Sequence, residues 1–418
     1  MMVLRRLLVV AAVGGAYLIG VAFPAAAHTS LETSVPARDS VVAASPAEVA
    51  LYFDEAVAAG LGAVRVVGPG ESRADLGRAV TKVNVVHVPL RRHLAAGTYV
   101  VVWRVLSDDG HAVSGRFSFA VGHVGATPRA AARSSPIWTR GLSAGGRFLS
   151  YLGLVLFAGA LILVALIWRG GTAQPGVRRL VVAGWTLVVV GTSVGYLMQG
   201  PNGAGLGPTA VLAEPRLLLD VMHTRFGQLQ LARLVGLLAL TPRGGLHLLA
   251  AAGRTRTAVL LAGLAALVAT WSASGHAGTR SPEALFVGVD VVHLLAVSAW
   301  LGGLCVVLVA LLNSPDVADV APAWSRMAFL AVVVLIVTGS VTALAEVGSW
   351  AALWHSRYGQ LLCAKVALVA VMVGVGALGR LAVQSRRHGS LHLTVRHEIT
   401  LGTAVVLVTT ALVATPPR

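Results

Sequence analysis

From Arg147 almost to its last residue, the chain is a succession of apolar runs, each long enough to cross a lipid bilayer. A hydrocarbon core about 30 Å thick needs about twenty helical residues, and it admits only structures that satisfy their own backbone groups. The runs predict membrane helices at residues 147–169, 177–199, 226–250, 256–273, 283–312, 322–346, 359–384 and 395–415. Pro242-Arg243-Gly244-Gly245 interrupts the third, and a span that begins near Leu217 and ends before Pro242 is its alternative. Hydrophobic residues make up 56% of the 418, which excludes an ordinary soluble domain. The formal charge of +16 does not point to nucleic acid, because much of the excess sits in short loops between apolar runs.

Those loops also set an orientation. The first, third, fifth and seventh connections hold Arg169, Arg178 and Arg179; Arg243, Arg254 and Arg256; Arg326; and Arg380, Arg386, Arg387 and Arg396. The others hold only Arg216, Arg225, Arg280 and Arg357. Positive charge favours the cytoplasmic side, so the region before the spans and the C-terminus are expected outside a plasma (inner) membrane. The first residues agree: Arg5 and Arg6, an apolar stretch over 7–23 and the ending Pro24-Ala25-Ala26-Ala27 form a secretory signal. Cleavage after Ala27 would expose His28, whose free amine and imidazole can chelate one metal ion. The bland alternative is that His28 merely follows the cleavage site.

Between the leader and the spans lie short β-like runs at 49–53, 62–67, 83–88, 98–106 and 113–121, several of them alternating apolar with polar residues, separated by turn signals such as Gly68-Pro69-Gly70. They predict a small β-sandwich with Phe53, Trp103, Phe117 and Phe119 in its core. The only cysteines, Cys305 and Cys363, lie in apolar runs, so no disulfide staples it. Ser107-Asp108-Asp109-Gly110-His111 separates two of these strands. In an extended backbone residues i and i+2 project to one side, which directs Asp109 and His111 towards a common point. With His28 they form a nitrogen and oxygen donor set without thiolate, suited to Cu(II) or Ni(II). Taken alone, D-x-H also describes a hairpin turn with an incidental histidine. His87, His93 and His123 have no second donor at useful spacing and read as structural or exposed.

The longer run from Tyr99 to Phe119, with Trp103-Arg104-Val105-Leu106-Ser107-Asp108-Asp109-Gly110-His111 at its centre, closely resembles the signature of the CopC family of extracytoplasmic copper-binding proteins. Ser34-Val35-Pro36-Ala37-Arg38-Asp39-Ser40 and Ser45-Pro46-Ala47-Glu48-Val49 are similar to it too. The resemblance implies a β-sandwich holding Cu(II) through an N-terminal histidine and a D-x-H pair, roles that map onto His28, Asp109 and His111. Ala112 stands where the family commonly has proline, a change in loop stiffness rather than in ligands. The family's methionine-rich Cu(I) site does not carry over, since the domain has no methionine after its leader. The expected organisation is a signal peptide at 1–27, the β-domain at 28–122, a Gly/Ala/Ser/Arg/Pro-rich tether at 123–146 and a membrane domain at 147–418. The fold class is an all-β sandwich joined to an all-α polytopic membrane domain of about eight transmembrane helices.

In the expected orientation Met198, Met222, His223, His276 and His355 fall near the outer face, and imidazole and thioether suit copper. Each taken singly reads as an interfacial histidine or a packing methionine. Asp290 and His293 are one turn apart in the fifth span, and about ten residues from Glu283 at roughly 1.5 Å each places His293 near mid-bilayer. Ionisable groups at that depth line a pathway or pair with one another, and Arg233, Glu346, Lys365 and Glu398 are further candidates for pairing.

His293-Leu294-Leu295-Ala296-Val297-Ser298-Ala299-Trp300-Leu301-Gly302-Gly303 resembles the H-x6-W-x-G-G signature of the CopD family of polytopic proteins implicated in moving copper. Ser274-Gly275-His276-Ala277, Tyr358-Gly359-Gln360 through Lys365, and Thr224-Arg225-Phe226-Gly227 match the same family. Gly379-Arg380 stands where that family often has asparagine-arginine. The two resemblances, in this order, imply a CopC–CopD fusion. The residues then read as a copper importer or resistance protein that catches Cu(II) outside and passes copper, as Cu(I) if reduced, through the outer His/Met set and past Asp290 and His293. The implied partners are the copper ion, the bilayer and other extracytoplasmic copper proteins. No G-x-x-x-x-G-K-[ST] loop occurs, and the chain is not expected to be an enzyme. Two other functions compete: a membrane redox protein with haem on His276, His293 or His355, and a membrane-anchored copper store or sensor.

Overall fold

The computed structural model describes residues 30–58, 64–77, 79–108, 110–130, 134–250, 253–347, 350–384, 391–413 and 415. Alternating residues on short strands build two sheets in the N-terminal region. One runs β1 (Leu31–Val35), β3 (Glu48–Phe53), β7 (Val85–Pro89), β6 (Val80–Lys82). The other runs β2 (Val41–Val42), β9 (Ala112–Val121), β8 (Gly97–Ser107), β4 (Val57–Ala58), with β5 (Arg65–Val67) also on β8. The long antiparallel β8–β9 hairpin is the frame, in register from Gly97–Val121 to Leu106–Ala112.

Tyr99, Val101, Trp103 and Val105 on β8 and Phe117, Phe119 and Val121 on β9 point into one core with Val49, Leu51 and Phe53 of the facing sheet. Phe53 meets Trp103 edge-on at 5.2 Å between ring centroids, and Tyr99 stacks on Phe119 at 5.4 Å. The four aromatic residues expected in this core are all buried there. Burial of such rings is the main stabilisation open to a β-domain without disulfides. β8 is buried along its whole length, on both faces. Its second face is covered because residues 194–231 form one compact unit with residues 30–143. There Leu106 packs with Leu217 and Val221, flanked by Tyr196, Ala204 and Leu206.

The remaining helices are α1 (Ile137–Leu166), α2 (Pro175–Ala204), α3 (Ala210–Ala213), α4 (Arg216–Met222), α5 (Arg225–Ala239), α6 (Pro242–Ala250), α7 (Arg254–Ala273), α8 (Glu283–Leu311), α9 (Val317–Val347), α10 (Trp350–His355), α11 (Arg357–Gln384) and α12 (Leu391–Val413). Among the described residues, seven helices are long and apolar enough to cross a membrane: α1, α2, α7, α8, α9, α11 and α12. The expected third span is instead two helices, α5 and α6, because Pro242 has no N–H to continue the ladder and starts a new helix. At 15 residues α5 is about 22 Å long, short of a hydrocarbon core. It nevertheless lies antiparallel to α2 and α7: Trp185 donates to the Leu237 carbonyl at 2.9 Å, and Arg233 reaches Thr270 while Gly236 faces Leu267.

Residues 144–193 and 232–418 form the second compact unit. Its centre is α1. Gly153 meets the backbone of Gly184, the backbone of Gly146 meets Gly191, and Gly159 faces Gly302 of α8. Two π-helical turns, Ser298–Gly302 and Val307–Leu311, interrupt α8 at and beyond that contact. Small residues allow helices in lipid to approach closely, and π-turns adjust the ladder locally.

Candidate metal centre

The β8–β9 hairpin turns through the residues expected to hold metal. Past the Leu106–Ala112 pair, the Ser107 N–H donates to the His111 carbonyl at 2.8 Å and the Gly110 N–H to the Ser107 carbonyl at 2.9 Å. The Ser107 hydroxyl bridges the same ends, accepting from the His111 N–H at 3.1 Å and donating to the His111 carbonyl at 3.0 Å. Gly110 has φ of +84°, in the left-handed region that favours glycine. His111 is half-buried, with Nδ1 shielded from solvent. His28 and Asp109, the other two expected ligands, lie outside the described residues.

Residues far along the chain grip this turn. Gln199 Nε2 donates to the Gly110 carbonyl at 2.8 Å, and Arg225 Nη1 stands 3.3 Å from Asp108 Oδ2. A methyl added at Gly110 would fall 2.6 Å from Phe226 Cδ2, so the Phe226 ring lies flush against the bare Cα. One strand turn earlier, Arg104 caps the C-terminal end of α2. Its Nε donates to the Gly203 carbonyl at 3.0 Å, and its Nη2 to the Asn202 carbonyl and the Ser135 hydroxyl, both at 2.8 Å. The last carbonyls of a helix lack intrahelical donors and carry the negative end of its dipole, so a guanidinium suits them. Burial first, and the nearby Arg140 second, pull the pKa of Arg104 below the ordinary arginine value. Arg104, Gln199 and this use of Arg225 were not anticipated, since partners about 30 to 120 residues away leave no local pattern.

The other expected pathway residues are dispersed. Met198 is buried, Met222 and His223 are exposed on the last turn of α4, and His355 is exposed at the end of α10. His276 opens a short 3-10 turn and is half-buried. Among the described residues no group of three His, Cys, Asp or Glu side chains is placed to hold a metal ion. Arg233 serves structure: it donates to Thr270 and Ser274 and lies 3.7 Å over the Trp271 ring.

Asp290 and His293 share one face of α8, and Lys365 of α11 interacts electrostatically with both. His293 Nδ1 lies 2.8 Å from Thr338 Oγ1 of α9. The Thr338 hydroxyl donates to the Val334 carbonyl at 2.7 Å, so its oxygen faces the ring as acceptor. Nδ1 therefore carries the proton in a neutral ring, and Nε2 keeps its lone pair. Gly339 leaves room beside Cε1, since a methyl there would touch it at 3.5 Å. The Trp-x-Gly-Gly spacing is explained by packing: Trp300 is buried, Gly302 meets the Val155 carbonyl and Gly303 meets the Trp324 indole.

Comparison with known proteins gives two family matches, a CopC domain over residues 31–122 and Copper resistance protein D over residues 318–415. Copper transport protein CutJ of Bacillus subtilis (strain 168) is 26% identical over 413 residues, which cover 93% of this chain and 74% of CutJ. Copper resistance protein C of Escherichia coli is 34% identical over 117 residues, 26% of this chain and 91% of that protein. The crystal structure of CopC from Methylosinus trichosporium OB3b matches 24% of this chain and all (100%) of its own, at 28% identity and a TM-score of 0.22.

Proposed function

This chain belongs to the copper transport and resistance proteins in which a CopC domain is followed by a CopD domain, and from that premise we propose that it imports copper. It is a multi-pass membrane protein with a copper-binding domain at its N-terminal end, in a family named for transport and resistance and not for a reaction. In the proposed route the N-terminal domain lies outside a plasma membrane, where removal of residues 1–27 frees the His28 amine. Cu(II) is held there by His28, Asp109 and His111. A reductant outside the cell supplies one electron, and Cu(I) travels by way of Met198, Met222, His223, His276 and His355 to Asp290 and His293.

The observation that carries this reading is the state of His293. A copper ligand needs one ring nitrogen with a free lone pair while the other is held by a hydrogen bond, and His293 is held through Nδ1. The Thr338 hydroxyl, already committed to Val334, enforces that tautomer.

Copper accumulation in cells expressing the wild type and its variants tests the route. Wild type raises cytoplasmic copper, and His293→Ala removes the rise. Thr338→Val lowers it by about tenfold while Thr338→Ser retains it. His28→Ala shifts the response to higher external copper. Equal accumulation in wild type and His293→Ala would sink the pathway.

A further inference from the structure

We propose that Arg225, Gln199 and Phe226 are positioning residues for the copper-binding turn, so that the copper affinity of the β-domain is set by the helical segment packed with it. This role presupposes the copper function of His111 and its turn. Three contacts reach the turn, each of a different kind. Arg225 takes the Asp108 carboxylate, Gln199 takes the Gly110 carbonyl, and the Phe226 ring fills the space that glycine leaves at Gly110. Together they restrain the residues on both sides of position 109, and the Ser107 bridge fixes the backbone of His111.

The chemistry of the turn explains why such a grip is useful. Asp108 and Asp109 are adjacent carboxylates, and a free turn could present either of them to a cation. An arginine on Asp108 occupies that carboxylate and leaves the turn a single acidic donor. Gln199 holds the one carbonyl between the acid and the histidine, which sets the rotation of the peptide leading into His111. The grip itself is held firmly. Gln199 lies in the last turns of α2, whose end is capped by Arg104 from the very strand that leads into the turn. Leu106, next to Ser107, packs on Leu217 and Val221 just before Arg225. The segment Thr224-Arg225-Phe226-Gly227, which no proposed transport step uses, acquires a role here: the Thr224 hydroxyl accepts from the Gly227 N–H at 3.0 Å and starts the helix that presents Arg225 and Phe226.

The test is titration of the purified full-length chain with Cu(II) against a competing chelator, with electron paramagnetic resonance of the bound ion. Arg225→Ala and Asp108→Ala are each expected to weaken Cu(II) binding by about tenfold, and the double variant by no more than either alone. Arg225→Lys restores part of the loss, because a point charge still engages Asp108. Gln199→Ala shifts the hyperfine coupling of the bound Cu(II), a readout that a loss of global stability would not move. If His111→Ala abolishes binding while Arg225→Ala and Gln199→Ala keep wild-type affinity and spectrum, the positioning role is wrong and the copper site stands. If His111→Ala itself binds Cu(II) like wild type, the copper assignment of the turn fails, and the positioning role with it.

Discussion

Glycines do different work in the two compact units. In the β-sandwich, the space beside Gly115 and Gly68 is filled by the rings of Trp103 and Tyr99. In the helical unit, the space beside Gly153, Gly159, Gly184, Gly191 and Gly302 is filled by another helix's backbone. The contrast follows from the solvent. A sandwich in water is held by burying large apolar side chains, and a glycine there makes room for one. Helices in lipid gain nothing from hiding apolar surface from hydrocarbon, so they associate through close van der Waals contact, which only small residues permit. α1 shows the consequence: its glycines admit α2 on one side and α8 on the other.

The largest effect is expected where two such glycines meet. Gly302→Ala would set a methyl onto the Val155 carbonyl oxygen and the Gly159 Cα, neither of which can move without shifting a whole helix. The expected outcome is loss of the monodisperse full-length protein on size exclusion. Gly159→Ala, from the other side of the same crossing, should reproduce it. If both variants purify and transport like wild type, the crossing is not held by close backbone contact.

A smaller effect is expected in the sandwich. Gly115 pairs directly across the ladder from Trp103, whose indole lies over it. Gly115→Ala would push that ring against Phe53, its edge-on partner, and overpacking of a buried core costs about 1–3 kcal/mol. The ring can tilt, as a helix backbone cannot. The expected result is a protein that still folds, with a lower unfolding temperature followed by near-ultraviolet circular dichroism of Trp103. A collapse as complete as that of Gly302→Ala would erase the distinction between the units.

The sequence made these regions legible to different depths. Alternation at 113–121 located β9 because every second residue there faces a core, and length with hydropathy located the seven long spans. The expected third span failed, because 226–250 is apolar enough on average while Pro242 divides it into α5 and α6. Within the turn expected to hold metal, the i, i+2 spacing marks Asp109 and His111 as candidates, and of the two only His111 lies among the described residues. Gln199 and Arg104 were not legible, because their partners are backbone carbonyls distant in sequence, and a carbonyl leaves no mark on residue identity. The Thr338–His293 contact was hidden for a related reason: threonine in a membrane helix ordinarily bonds its own i−4 carbonyl, and here it does that and also meets His293. Trp300 and the glycines after it were noticed as a signature, but their spacing carries no sign of the π-turn that α8 adopts there.

The finest test uses a glycine of the same central helix that touches nothing. Gly145 lies on α1, exposed, and a methyl built on it meets no atom within 4 Å. If the helical unit needs glycine for flexibility, Gly145→Ala should impair it as other glycine replacements do. If glycine matters only where backbones touch, the same change removes a poor helix former from a solvent- or lipid-facing position and should stabilise the protein slightly, by about 0.5–1 kcal/mol. The expected observation is a small rise in unfolding temperature with copper accumulation unchanged. A fall would mean that α1 must bend at its start, and that close approach is only part of what its glycines provide.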